Sequence, residues 1–269
     1  MIKRWLACSL ASLCFAASAQ AQPNAPILAA VQACEPGSRA LIEQLVAIDS
    51  GTGDVEGLDK VGTILSDKLR KLGAEVRRVP SVAPAMGDNI VATFTGTGAG
   101  HILLIAHVDT VFARGDVAAR PPRWEGEHYV GPGAGDDKSG GVTALCALGA
   151  LKATGYRDFA RIDLLLNASE ETGSLGSRDL IRAMARDADV TINLERGVPG
   201  DKAVVSRKGS AELRMEFTGL AAHSGLEPQN GRNATNAKSP PCHLLLAADS
   251  LLWTVTCWAT RGSFDHQSR

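Results

Sequence analysis

The chain has 269 residues, with 28 Lys and Arg against 29 Asp and Glu for a formal net charge of −1. Apolar residues make up 45% and aromatic ones only 4%, an ordinary composition for a packed α/β protein of one large or two smaller domains. Without a basic excess it lacks the electrostatic footprint of nucleic-acid binding, and no nucleic-acid partner is expected.

Lys3 and Arg4 precede an apolar stretch over 5–19, and Ala19-Gln20-Ala21 is a small-x-small cleavage site. This pattern predicts a signal peptide over 1–21, export to the periplasm or the exterior, and no membrane partner after cleavage. Neither Cys8 nor Cys14 stands in a lipoprotein setting, so no lipid anchor is expected. Cys34, Cys146, Cys242 and Cys257 follow without a C-x-x-C pair. Their spacing indicates neither a zinc ribbon nor a disulfide framework.

Helices are predicted over 38–46 and over 57–72, the second ending at Gly73, and strands over 74–79 and 89–95. Residues 102–106 form a continuous apolar run of strand length, the pattern of a strand covered on both faces of a largely parallel sheet. That run stops at His107-Val108-Asp109. Two more runs repeat the design. Residues 162–166 lead into Asn167-Ala168-Ser169-Glu170-Glu171, and 190–194 lead into Glu195, with a helix predicted between them over 177–188. Ligands of open α/β sheets gather beyond the carboxyl ends of the strands. Three strand ends carrying His, Asp or Glu are therefore expected to converge on one edge.

The stretch Gly131-Pro132-Gly133-Ala134-Gly135-Asp136-Asp137-Lys138 precedes a predicted helix over 142–152. A phosphate loop requires glycine directly before the lysine, where Asp137 stands, and adjacent carboxylates repel phosphate. The pair suits a divalent cation instead. Asp136 has two oxygens with which to bridge two cations, and Asp137 is read as solvated. His107 and Asp109, two residues apart, project to one face of an extended chain. A metal-binding histidine usually donates its second ring N–H to a carboxylate, the role open to Asp109. Of Glu170-Glu171, one carboxylate is placed to bind metal and the other to stay free as a base. Each signal alone has a plainer reading: a hydrogen-bonded strand-end histidine, a capped glycine turn, or an acidic pair favoured at a helix start. Their convergence is what favours a metal centre.

In order and spacing, His107-Val108-Asp109, Gly131-Pro132-Gly133 with Asp136-Asp137-Lys138, Ser169-Glu170-Glu171-Thr172-Gly173-Ser174 and Glu195 resemble the motifs of the co-catalytic zinc metallopeptidases. That family includes glutamate carboxypeptidase, aminoacylases, acetylornithine deacetylase and succinyl-diaminopimelate desuccinylase. The Gly-Pro-Gly and Asp-Asp-Lys phrases and residues 176–181 are most similar to the glutamate carboxypeptidase (carboxypeptidase G) branch. The resemblance covers residues 38–234. It implies an α/β fold, a mostly parallel sheet flanked by helices over 22–205, and the start of a small α+β dimerisation or lid domain over 206–234.

The resemblance further implies that Asp136 bridges two zinc ions. His107 and Glu195 would complete one, and Glu171 with a late histidine the other. Glu170 would be the general base, and Asp109 would orient His107. His223, an ordinary surface histidine on its residues alone, would help stabilise the oxyanion at the partner subunit's site of a homodimer. The implied reaction releases a C-terminal amino acid, glutamate foremost, from a peptide or N-acyl conjugate. The alternatives are an N-acyl-amino-acid deacylase and a non-catalytic remnant holding one zinc. Gly231-Arg232-Asn233-Ala234 still matches, and from Thr235 the resemblance stops. The expectation is an aberrant, frameshifted tail over 235–269; a divergent tail with its own role is the alternative. His243 and His266 sit in no matching motif and are not assigned.

Overall fold

The computed structural model describes residues 23–83, 86–197, 202–206, 210–217, 219–223, 225–232 and 252–259. The predicted signal segment and most of the predicted aberrant tail, with His243 and His266, lie outside them. The chain divides into two compact units, one up to Gly197 and one from Val198.

The first unit begins with helix α1 (Ala25–Ala33), which the Asn24 side chain caps by accepting from the Ile27 N–H at 3.2 Å. Sequence periodicity missed it, because the segment is apolar nearly all round and presents no polar face. α2 (Glu35–Val46) and α3 (Val55–Leu72) follow. α3 starts where the Asp54 carboxylate accepts from the Gly57 N–H at 3.2 Å and stops at Gly73, whose φ of 99° is the left-handed cap that glycine adopts without strain. Strands β1 (Glu75–Val79), β2 (Asn89–Thr95) and β3 (His101–His107) come next. The short helix α4 (Asp116–Ala119) and the paired strands β4 (Arg123–Glu125) and β5 (His128–Val130) precede the loop into α5 (Ser139–Ala153). β6 (Arg161–Asn167), α6 (Arg178–Asp187) and β7 (Val190–Asn193) complete the unit.

The sheet order is β1-β2-β6-β3-β7. β3 pairs in parallel with β6 and with β7, β2 pairs antiparallel with β6, and β1 pairs antiparallel with β2. Thus β1, β6, β3 and β7 run one way and β2 runs against them, the mostly parallel α/β sheet that the sequence predicts. The apolar runs of β3 and β6 are covered on both faces. Ile90, Ala92, Leu104, Leu164 and Leu166 pack with residues of α2, α3 and α5 on one side. Val91, Leu103 and Leu165 meet Met184, Leu180 and Ile181 of α6 on the other. Leu164, Leu165 and Leu166 are wholly removed from water, each contributing about 1.5–3 kcal/mol.

β7 departs from the expectation of a third buried run. It is the edge strand of this unit, with Val190 and Ile192 52% and 44% exposed. A short apolar run does not distinguish an edge strand from a central one, because both satisfy the same pattern. The cysteines also differ from expectation. Cys34, between α1 and α2, is joined by a disulfide to Cys146 of α5, with Cα atoms 5.8 Å apart across a separation of 112 residues. No local spacing foretells such a bridge, since it depends on how α1 and α2 dock on α5.

In the second unit, strand β8 (Ser210–Phe217) pairs in parallel with β9 (Leu252–Ala259). The alternating pattern of residues 211–219 predicts a strand, and β8 meets that expectation. Leu220 and Arg232 form an isolated antiparallel bridge.

Candidate metal centre

The register between strands explains why the site exists. His107 is the last residue of β3 and lies opposite Asn167, the last of β6. One bond beyond, the Val108 N–H donates to the Asn167 carbonyl at 2.8 Å, and the Leu194 N–H donates to Ile105 at 2.8 Å. Three parallel strands therefore end side by side. The residues just past them, Asp109, Glu170-Glu171 and Glu195, emerge on one edge.

The fourth contribution is the loop from Gly131. Gly133 has φ of 73°, and a Cβ there would collide with the Thr110 side chain, so no other residue allows this approach to β3. The peptide between Asp136 and Asp137 is cis. Asp136 is half-buried and turns its Oδ1 to 3.0 Å from the His107 Nε2. Asp137 takes the opposite course. It is fully buried, accepting the backbone N–H of His107 and of Gly140, each at 3.1 Å. A Cβ on Gly140 would meet that carboxylate at 2.5 Å. The solvated Asp137 of the sequence reading is therefore corrected: its carboxylate clasps the strand end to the start of α5. Lys138 is buried too, its Nζ donating to the Ile48 carbonyl at 2.6 Å.

Asp109 is the organiser. Its backbone carbonyl lies 2.9 Å from the His107 Nδ1 and its carboxylate 3.3 Å from the same nitrogen. That fixes a proton on Nδ1, so that Nε2, facing Asp136, is the nitrogen that would give up its proton to bind a metal. The Asp109 carboxylate also accepts the Glu170 N–H at 2.9 Å, the Glu171 N–H at 3.2 Å and the Thr52 hydroxyl at 2.7 Å. One buried group thus aims the histidine and fixes both glutamates. Asn167 braces the same turn, its Oδ1 accepting the Ser169 N–H at 2.9 Å and the Ser177 hydroxyl at 2.8 Å, its Nδ2 donating to Ser174 at 2.9 Å. Thr52 and Asn167 were not singled out from the sequence. The serines around Glu170-Glu171 were the one local sign of such bracing.

Among the described residues two donor sets result. His107, Asp136 and Glu171 offer ligand atoms all within 4.8 Å of one another, and so do His107, Glu170 and Glu195. The structure thus brings together His107, Asp136, Glu171, Glu195, Glu170 and Asp109. It places Glu170 beside Glu195 as well as within reach of His107. His223 belongs to the second unit, where it is exposed and its Nδ1 accepts the N–H of Gly225 and Leu226 at 3.2 and 3.0 Å.

The electrostatics call for a cation. Burial works against a charged His107, yet the hydrogen bond and charge of Asp109, with Asp137 and Glu170, push its pKa up to about 10. Burial raises Asp137 to about 7, helped by Glu195 and opposed by its bonds to His107 and Gly140. Burial first, then the surrounding acids (Glu195, Asp109 and Asp136 at Glu170; Asp136, Glu170 and Asp109 at Glu171), raises both carboxyls against the opposing charge of His107. So many carboxylates are stable together only with positive charge among them. One imidazole nitrogen with several carboxylate oxygens and no thiolate fits zinc in an open, non-structural site.

Fold and site together place a candidate metal centre at the strand ends of an α/β scaffold. The sequence profile of Peptidase family M28 matches residues 89–239, and the chain belongs to that family. It is 40% identical over 231 residues to carboxypeptidase G2 from Pseudomonas sp. (strain RS-16), covering 85% of this chain and 56% of that one. A tripeptidase from Staphylococcus aureus shares the fold with TM-score 0.54 and 23% identity, over 75% of this chain and 54% of the other. So does a metallo-carboxypeptidase of the M20 family from Sulfolobus solfataricus, with TM-score 0.51 and 18% identity, over 68% and 40%. The chain spans between 40% and 56% of the length of these proteins. The metallopeptidase family and carboxypeptidase G branch that the motifs resemble are thus met. Among the described residues no helix is long and apolar enough to cross a membrane.

Proposed function

We propose that this chain carries the greater part of the catalytic centre of an exported zinc metallohydrolase. In this reading it cleaves an amide bond to release a C-terminal amino acid, glutamate foremost, from a peptide or N-acyl conjugate. The observation that carries the reading is the Asp109-held His107, its Nε2 presented to Asp136, with Glu171, Glu195 and Glu170 gathered around it. The release of a C-terminal residue follows the likeness to a carboxypeptidase, and the glutamate preference follows the Gly-Pro-Gly and Asp-Asp-Lys motifs. Export follows the signal-like residues 1–21. A homodimer, with His223 reaching the partner subunit's site, follows the family resemblance alone.

His107, Asp136, Glu171 and Glu195 would hold two zinc ions. When bound, such ions polarise a carbonyl and make water acidic near neutral pH. The protein's own contribution is then positional. Asp109 keeps the Nε2 lone pair outward, and Asp137 and Asn167 hold the loops that carry the ligands. Glu170 takes a proton from water as its oxygen bonds to the amide carbon. The C–N bond breaks and the same proton passes to the leaving nitrogen. Burial raises the Glu170 carboxyl, which favours this two-way transfer.

The test is zinc content and turnover of the full chain on an acyl-glutamate against an acetyl-amino acid, which also separates carboxypeptidase from deacylase. Glu170→Gln should keep the metal and lose on the order of 10²–10⁴ in rate. A wild-type chain that takes up no zinc overturns the reading, and zinc uptake without turnover makes it a remnant. Reading the gene around codon 234 in all three frames tests the frameshifted-tail proposal: a late histidine motif in another frame supports it.

A further inference from the structure

Beside the metal centre opens a cavity of about 780 Å³ between residues 51–56 and 110–114, with Glu171 and Thr172 on its inner side. Its two walls are fastened to each other. Gly51 and Thr110 form a parallel bridge, and the Thr52 N–H donates to the Thr110 carbonyl at 3.1 Å. The Asp49 carboxylate accepts the N–H of Gly115 and Val117 at 2.8 and 2.9 Å. Arg114 reaches back to Glu56 at 2.9 Å and to Asp54. The width of the opening is therefore set before a ligand arrives, which keeps the ordering cost of binding low.

The lining decides what enters. Val55 and Val111, 46% and 70% exposed, present apolar surface with Phe112. Against them stand the carboxylates of Asp54 and Glu56 and one cation of the lining, Arg114, while Glu171 belongs to the metal centre. That guanidinium is already taken by Asp54 and Glu56. An anion entering here meets net negative charge without an available partner, so the carboxylates of a released amino acid are disfavoured. An uncharged apolar group gains by covering the valines and the phenylalanine.

We infer that this cavity is the acyl-side subsite, which receives an uncharged, apolar acyl group while the amino acid to be released lies away from it. The inference rests on the proposed function and specifies its substrate. Thr52 joins the two regions: from the cavity wall its hydroxyl donates to the same Asp109 carboxylate oxygen that accepts the Glu171 N–H.

The test is calorimetric titration of the zinc-loaded full chain, carrying Glu170→Gln so that ligands survive. The ligands are N-acetyl-, N-butanoyl-, N-hexanoyl- and N-succinyl-glutamate. With the longer acyl chain about half buried, N-hexanoyl-glutamate should bind roughly ten-fold tighter than N-acetyl-glutamate. The succinyl ligand, with its extra carboxylate, should bind more weakly than the butanoyl one. Val111→Ser, at an exposed position where the fold is not at risk, should flatten the series from N-acetyl- to N-hexanoyl-glutamate. A flat series in the parent with N-acetyl-glutamate still bound overturns the subsite and leaves the metal-site reading intact. No binding of any ligand to the zinc-loaded chain overturns both.

Discussion

Strand β3 carries a histidine at each end, and the two have opposite surroundings. His101, at the amino end, lies 2.9 Å from the buried Asp163 carboxylate through Nε2 and 2.8 Å from the Asp187 carbonyl through Nδ1. Arg161 sits in the same group, 3.0 Å from Asp163 and bonded to Asp187, and the Thr93 hydroxyl donates to Asp163 at 2.6 Å. Every acid there has a cation or donor of the protein's own. His107, at the carboxyl end, faces Asp109, Asp136, Asp137, Glu170, Glu171 and Glu195. Among the described residues the cation that reaches these acids is Arg196, at 4.0 Å from Asp136 and 77% exposed, since Lys138 turns its Nζ to the Ile48 carbonyl. A buried histidine beside an aspartate is thus not a functional signal in itself. What separates a structural cluster from a metal centre is whether the protein supplies the balancing charge.

The strongest way to break this comparison is to remove the unbalanced histidine. Zinc at about a hundred times its dissociation constant should stabilise the parent chain by about 2.7 kcal/mol. His107→Ala should abolish that response in thermal unfolding followed with and without chelator. His101→Ala should keep it at full size. Equal responses in the two variants would mean that the cation lies elsewhere.

Asp109→Asn sharpens the contrast from inside the centre. The amide keeps the shape but loses the charge that holds the histidine, and it puts an N–H where carboxylate oxygens now accept from Thr52, Glu170 and Glu171. Zinc affinity should fall about 10- to 100-fold, the cost typical of losing the group that orients a ligand. At the opposite end, Asp163→Asn should cost about 1–2 kcal/mol of stability through its bonds to His101, Arg161 and Thr93. It should leave zinc affinity unchanged, because nothing at that end reaches the metal.

Much of this contrast is legible in the sequence. The apolar runs of β3 and β6 fix their burial, and the acids after them fix where the site lies, because parallel strands deliver their last residues to a common edge. Fates that depend on chain path are not legible. Asp136 and Asp137 are indistinguishable as neighbours, yet the loop sends one to the ligand cluster and buries the other under β3. Val190 and Ile192 read like core residues, and only the sheet order shows β7 to be an edge. The Cys34–Cys146 bridge joins residues far apart in sequence and is decided by helix docking. His101 also passes unnoticed, because its partners Asp163 and Asp187 lie on other elements and no motif links them.

The smallest effect should come from charges that are balanced but open to water. Glu56 accepts from Lys60 at 2.7 Å and from Arg114 at 2.9 Å, and these partners lower its pKa from 4.5 to about 2. A carboxylate with a depressed folded-state pKa contributes stability that is fully present above its unfolded value and lost as pH falls through the folded one. The difference in melting temperature between the parent and Glu56→Gln should therefore be constant above about pH 5. It should shrink between 4.5 and about 2, and high salt should reduce it throughout, because exposed pairs are screened. If the difference instead persists to the lowest pH, Glu56 acts through the packing of its stem against the cavity wall rather than through its charge. The contrast between paired and unpaired acids would then not extend to the surface.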